Sequence, residues 1–99
     1  FKVKQSKPVV ICVFDKNLMK EYINLQKFLR DSGISTEIYP AESKLKKQME
    51  YANKIQAPAV ILYGEDEIKL RKPTLRDLSS GNEKSIEIKE LVNEIKKII

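Results

Sequence analysis

Ninety-nine residues are enough for one domain, and at 41% hydrophobic and 33% charged they have the composition of an ordinary soluble globular one. The absence of histidine removes the commonest general base, the commonest metal ligand and every Ser/His or Cys/His pair, so catalysis is a poor reading. The single cysteine excludes an internal disulfide.

The net charge of +5 is unevenly spread. Lys2, Lys4 and Lys7 stand without an acid, and Lys44, Lys46, Lys47 and Lys54 face only Glu42 and Glu50, while the other segments balance. A local excess of this kind is what a footprint for an anionic partner looks like, although on charge alone a solvated helix face is the better explanation. The first residues, FKVKQSK, begin with Phe rather than Met and hold no apolar signal region. They read as a linker over residues 1–7, ahead of a domain over 8–99. The longest apolar run, residues 9–14, is far short of a membrane span, so no membrane partner is expected.

In chain order, Pro8 to Phe14 is a short β-branched run, which predicts a strand buried on both faces. Cys12 lies inside it as a small hydrophobe, which suits a reducing, cytoplasmic setting. Asp15 and Asn17 can cap a helix that starts just after them. Leu18, Tyr22, Leu25 and Leu29 repeat at helical spacing up to Asp31, and Ser32-Gly33 supplies a left-handed stop. Ile34 to Tyr39 reads as a second strand ended by Pro40, completing a βαβ unit with a right-handed crossover. Ser43 is a candidate N-cap for a second helix over Lys44 to Gln56, with Leu45, Met49, Ala52 and Ile55 on its apolar face. Ala57-Pro58 breaks it, and Ala59 to Tyr63 is a third buried strand closed by Gly64.

The pattern then changes. Glu65 to Lys72 is charged and without period, Thr74 to Leu78 alternates imperfectly, and residues 79–82 form a turn. Lys84 to Ile88 alternates again, so the fourth strand is expected to run against the first three. A last helix begins at Ile88 or Lys89 and buries Leu91, Val92, Ile95 and Ile98 or Ile99. Lys96 and Lys97 suit its negative end.

No dinucleotide fingerprint, P-loop or EF-hand spacing is present. Glu65-Asp66-Glu67 is the one dense carboxylate set and reads as a solvated turn, so no metal site is expected. In a parallel sheet, ligands gather at the carboxyl ends of the strands. Here those ends bring together Lys16, Asn17, Tyr39, Glu42, Ser43 and Glu65 beside the amino end of the second helix, with Lys44, Lys47 and Gln48. Helix amides and lysines suit phosphate, a tyrosine can stack on an unpaired base, and carboxylates or amides can read a base edge. Each has a plainer alternative: Tyr39 and Tyr63 as half-buried strand ends, Lys46 and Lys54 as groups that keep the helix soluble.

The run KLKKQMEYANKIQAPAVILYGEDE, followed by PTLRDLSSGNEKSI and a final helix, resembles the C-terminal anticodon-binding domain of histidyl-tRNA synthetases over residues 7–99. Its most specific pieces are Lys46-Lys47-Gln48 with Tyr51-Ala52 and Lys54, the turn at 64–67, and residues 74–78. One departure is Arg71-Lys72-Pro73, where the family often has a small residue pair with glycine. The resemblance implies an α/β fold in three layers, with a five-stranded mixed sheet of order 2-1-3-4-5, the fourth strand antiparallel, and three helices. It implies recognition of the anticodon stem-loop of histidine tRNA. ATP-dependent attachment of histidine, with ATP and magnesium, would belong to a catalytic domain upstream of residues 1–7, in a cytoplasmic enzyme that is a homodimer. No cofactor is expected in this domain itself.

The candidate RNA-binding set is therefore Lys16, Tyr39, Lys44, Lys47, Gln48, Glu65 and Glu67. Lys44 and Lys47 are assigned to phosphates, and Glu65 or Glu67 with Gln48 to a base. The competing expectation is a noncatalytic, synthetase-like regulatory or protein-interaction module.

Overall fold

The computed structural model describes residues 7–99; the expected linker falls almost wholly on residues 1–6, outside that range. The chain runs β1 (Val9–Cys12), a 3-10 turn (Lys16–Leu18), α1 (Met19–Asp31), β2 (Thr36–Ile38), α2 (Leu45–Lys54), β3 (Ala59–Leu62), α3 (Glu65–Leu70), β4 (Thr74–Asp77), β5 (Glu83–Ser85) and α4 (Ile88–Ile98). The sheet order is β2-β1-β3-β4-β5. β1 is parallel to both β2 and β3, whereas β4 is antiparallel to β3 and to β5. The three parallel strands, the reversal at β4 and the order implied by the family resemblance are all present.

Burial explains why the centre of the sheet was legible. Every residue of β1 is buried, as are Ala59, Val60 and Ile61 of β3, which is what an unbroken β-branched run requires when both faces are covered. The register settles which helix covers which face. Val10 pairs with Glu37, and Tyr51 of α2 donates its hydroxyl to the Glu37 carboxylate, so α2 lies on the Val10 face. Lys84, which shares the opposite face with Ile11, Ile61 and Leu75, is ion-paired with Glu94 of α4. On that same side a groove of about 500 Å³ is lined by Leu25 and Phe28 of α1, Tyr63 and Ile88. The sheet is thus sandwiched between α2 and the α1–α4 pair, as right-handed crossovers on successive units demand.

The helix stops are built from backbone. After α1, Gly33 takes φ 88°, and the amides of Gly33 and Ile34 bond to the carbonyls of Arg30 and Leu29. The same closure ends α2 and α3, but there the left-handed residues are Gln56 (φ 61°) and Arg71 (φ 54°).

Three expectations need correction. The charged stretch after Gly64 holds a six-residue helix, so the described residues form four α-helices rather than three. Its start is stabilised by the Glu67 carboxylate, whose Oε1 accepts from the Gly64 N–H at 2.8 Å, and by three acids in the first turn. Less than two turns of helix cannot display a hydrophobic period. The fifth strand is Glu83–Ser85, not Lys84 to Ile88; Ile86 is buried just beyond it and Ile88 already opens α4. Ser43 also does not cap α2: Lys44 occupies the N-cap position in extended conformation without a side-chain cap bond.

Candidate nucleic-acid interface

Three segments meet at the carboxyl ends of the parallel strands: residues 13–18 after β1, 39–44 after β2 and 63–67 after β3. The first turns because the Asp15 carboxylate accepts from the Asn17 N–H at 2.9 Å, an Asx turn that starts the 3-10 segment. That turn is tied to its neighbour by the Lys16 N–H, which donates to Glu42 Oε1 at 2.8 Å. Exposed Lys16 and Lys44 are thereby brought to one edge, with exposed Lys47 on the first turn of α2. None of the three has an ion-pair partner among the described residues. With no side chain capping α2, the Leu45 and Lys46 amides have no partner among the described residues and are open to an anion, whereas that of Lys47 turns back to the Lys44 carbonyl at 3.1 Å.

Two expected contact residues are placed otherwise. Gln48 is fully buried. Its Oε1 accepts from the Val13 N–H at 2.7 Å, and its Nε2 donates to the carbonyls of Val13 at 2.7 Å and Ser43 at 2.8 Å. A carboxamide committed to three backbone groups cannot read a base. It clamps the end of β1 to the start of α2 and so fixes the edge that carries the lysines. Tyr39 is 8% exposed, its ring edge-on to Tyr51 at 5.4 Å between centroids and 78° between planes. Neither residue is a free recognition group; Tyr39 is the strand-end tyrosine of the plainer alternative, and so is Tyr63, also buried. The hydrogen bond to Glu37 pushes the Tyr51 phenol up from its ordinary value, so this pair stays protonated at the hydroxyl in the neutral range.

The acids of the third segment divide in the same way. Glu67 is half-buried and already serves Gly64, whereas Glu65 is exposed and, among the described residues, ion-paired only with Lys69 of its own helix, at 3.5 Å. An exposed pair of that kind is weak and easily exchanged for another partner. Of the two, Glu65 is the carboxylate free to accept from a base.

Sequence reasoning passed over Phe14. It follows five consecutive buried residues and would be read as the last of the strand, yet it is 36% exposed. Its N–H donates to the Tyr22 hydroxyl at 3.3 Å, and its ring lies against Gly64, where an added Cβ would stand 3.8 Å from ring carbon Cδ2. The only signal for it was the break from β-branched to aromatic just before Asp15. Cys12, by contrast, is sealed in the core; burial pushes its thiol up to about 12, and it offers no nucleophile. Among the described residues no group of three or more potential metal-ligating side chains occurs.

Comparison with known proteins bears on this edge directly. Residues 8–98 match the family described as Anticodon binding domain. The chain is similar to the histidine–tRNA ligase of Pelagibacter ubique, with 40% identity over 102 residues that take in 98% of this chain and 22% of that protein. It is also similar to the histidine–tRNA ligase of Caulobacter vibrioides, with 43% identity over 74 residues, 75% of this chain and 15% of that one. Among solved structures, histidyl-tRNA synthetase from Nostoc sp. PCC 7120 superposes with a TM-score of 0.88 at 28% identity, over 95% of this chain and 22% of that chain. The RNA binding domain of threonyl-tRNA synthetase from Cryptosporidium parvum superposes with a TM-score of 0.84 at 13% identity, over 93% and 23%, a likeness of fold alone. The chain spans about a fifth of the length of the curated relatives it matches. With nearly its whole length matched by that one family, the chain belongs to the anticodon binding domain family.

Proposed function

We propose that this domain recognises the anticodon stem-loop of histidine tRNA on behalf of a histidine–tRNA ligase, the enzyme that attaches histidine to its tRNA using ATP. One observation carries the reading: the 40% identity to such a ligase runs across 98% of the chain and so takes in the whole basic edge. ATP, magnesium and the chemistry belong to other parts of the ligase, which acts in the cytoplasm as a homodimer. The recognition is this domain's own.

Lys16, Lys44 and Lys47 hold phosphates, and the open amides of Leu45 and Lys46 add directed donors beside them. Such contacts set position and carry no sequence information. The histidine anticodon reads G, U, G, and guanine offers N1–H and N2–H donors on its pairing edge, for which exposed Glu65 is a suitable acceptor. Glu67 acts beside it by holding the turn.

Binding of isolated stem-loops to the 99-residue chain tests this. Lys47→Ala should weaken cognate and non-cognate loops alike and reduce the salt slope by about one. Equal affinity for histidine and unrelated stem-loops in the unaltered protein would instead favour a noncatalytic interaction module.

A further inference from the structure

We propose that Phe14 is the platform on which an unpaired base of the bound RNA stacks. The inference rests on the RNA-binding reading and names the residue that supplies its apolar contact.

The position of the ring is the first argument. In a sheet of order 2-1-3-4-5 the place where strand order reverses lies between β1 and β3, and ligands enter there at the carboxyl ends. Phe14 follows β1, and its ring rests against Gly64 at the end of β3, so it stands across that mouth. Gly64 cannot cover it, having no side chain, and a Cβ at that position would come within 2.9 Å of the Glu67 carboxylate that closes the turn.

Exposure is the second argument. Ile23, Phe28 and Leu70 are also large and exposed, but they belong to α1 and α3 rather than to the end of β1, and Phe28 lines the groove shared with Tyr63 and Ile88. Only Phe14 among these four combines exposure with the switch point. An aromatic ring left open where five preceding residues are buried forgoes apolar burial unless something covers it.

Charge identifies the occupant. Lys16 stands two residues on, its backbone held to Glu42, and Lys44 and Lys47 follow along the same edge. A group that is flat and apolar on its face while joined to a polyanion fits both features, and that is a nucleobase in a single-stranded loop. Such stacking on aromatic side chains tolerates any base, which separates it from the edge reading assigned to Glu65.

Fluorescence decides the matter with the unaltered protein. A histidine-tRNA stem-loop carrying 2-aminopurine at one loop position at a time should show quenching, on binding, at the position that stacks. Phe14→Leu keeps an apolar contact with Gly64 but removes the π face; it should restore the fluorescence and weaken binding on the order of 5- to 150-fold. Because no charge changes, the salt slope should stay put, and Phe14→Tyr should retain both quenching and affinity. If no loop position is quenched, or if Phe14→Leu binds within twofold of the unaltered protein while Lys47→Ala weakens binding, Phe14 is not the platform and the RNA-binding reading survives. The same result is expected if a protein segment covers the ring instead. If Lys47→Ala also has no effect, the reading beneath it fails as well.

Discussion

α2 and α4 are both short amphipathic helices rich in lysine, and they use it differently. In α4 Lys97 is already engaged and, among the described residues, Lys96 alone of its last turn is not: Glu94 binds Lys97 at 3.1 Å and Lys84 of β5 at 2.6 Å, and the two lysines, Lys84 foremost, hold its carboxyl below the usual carboxylate range. In α2 the lysines have no ion-pair partner among the described residues, and the polar group that could have been a surface ligand, Gln48, is buried as a clamp. Lysine content alone therefore says little about a binding face. What distinguishes α2 is that its cations are left unneutralised at the end of the sheet where strand order reverses, on a frame stiffened by a buried amide.

The largest break in that contrast should come from the clamp. Gln48→Ala orphans the Val13 N–H and carbonyl and opens a cavity, and should cost about 3–5 kcal/mol in urea unfolding. Gln48→Met, which fills the space, should recover part of it, and no comparable loss should follow any single lysine change in either helix. Next is the proposed base reader: Glu65→Gln should cost on the order of 1–3 kcal/mol with the cognate stem-loop only, by analogy with good base contacts, and leave non-cognate binding unaltered.

Smaller still is the stop of α2, where Gln56 holds a left-handed conformation that glycine adopts without strain. Gln56→Gly should raise stability by up to about 1 kcal/mol, the relief of left-handed strain less the added chain entropy, without altering RNA affinity. The least effect belongs to α4. Lys97→Ala should shift stability by less than about 0.5 kcal/mol, as exposed pairs do, and leave binding unchanged. The pH dependence has a definite sign: because the Glu94 carboxyl is lowered in the folded state, its contribution is present above the ordinary value of about 4.3 and is lost as pH falls through the folded value. Acid should therefore loosen the β5–α4 pairing; α2, whose lysines depend on no carboxylate partner among the described residues, should be spared.

The same pair of helices shows what sequence can and cannot reveal. Leu91 and Ile95 of α4, and Tyr22, Leu25 and Leu29 of α1, are buried where periodicity puts them, because local spacing alone decides which face turns inward. Gly33 marks a stop because only glycine adopts φ 88° without strain. Gln48 could not be read this way: its partner Val13 is 35 residues distant, and a polar residue directly after two lysines looks exposed until β1 is brought beneath it. Tyr39 and Phe14 exchanged their expected places for a similar reason. Each follows a strand, and it is Tyr51, delivered by α2, that covers Tyr39, while beside Gly64 Phe14 stays 36% exposed. Gln56 and Arg71 give no signal at all, since neither residue type announces a left-handed turn. The basic edge was legible because it is made of strand ends and one helix start, whose positions derive from topology.

The proposed function requires that Lys44 and Lys47, at the start of α2, and not the lysines of α4 meet the RNA backbone. Salt titrations of histidine-tRNA stem-loop binding by Lys44→Ala/Lys47→Ala and by Lys96→Ala/Lys97→Ala test it most directly, since each double variant removes the same charge. The first should weaken binding and reduce the salt slope by about two, while the second should leave the slope at its original value. Equal reductions in both would contradict the account, because they would mean that net charge, rather than this edge of the sheet, holds the RNA.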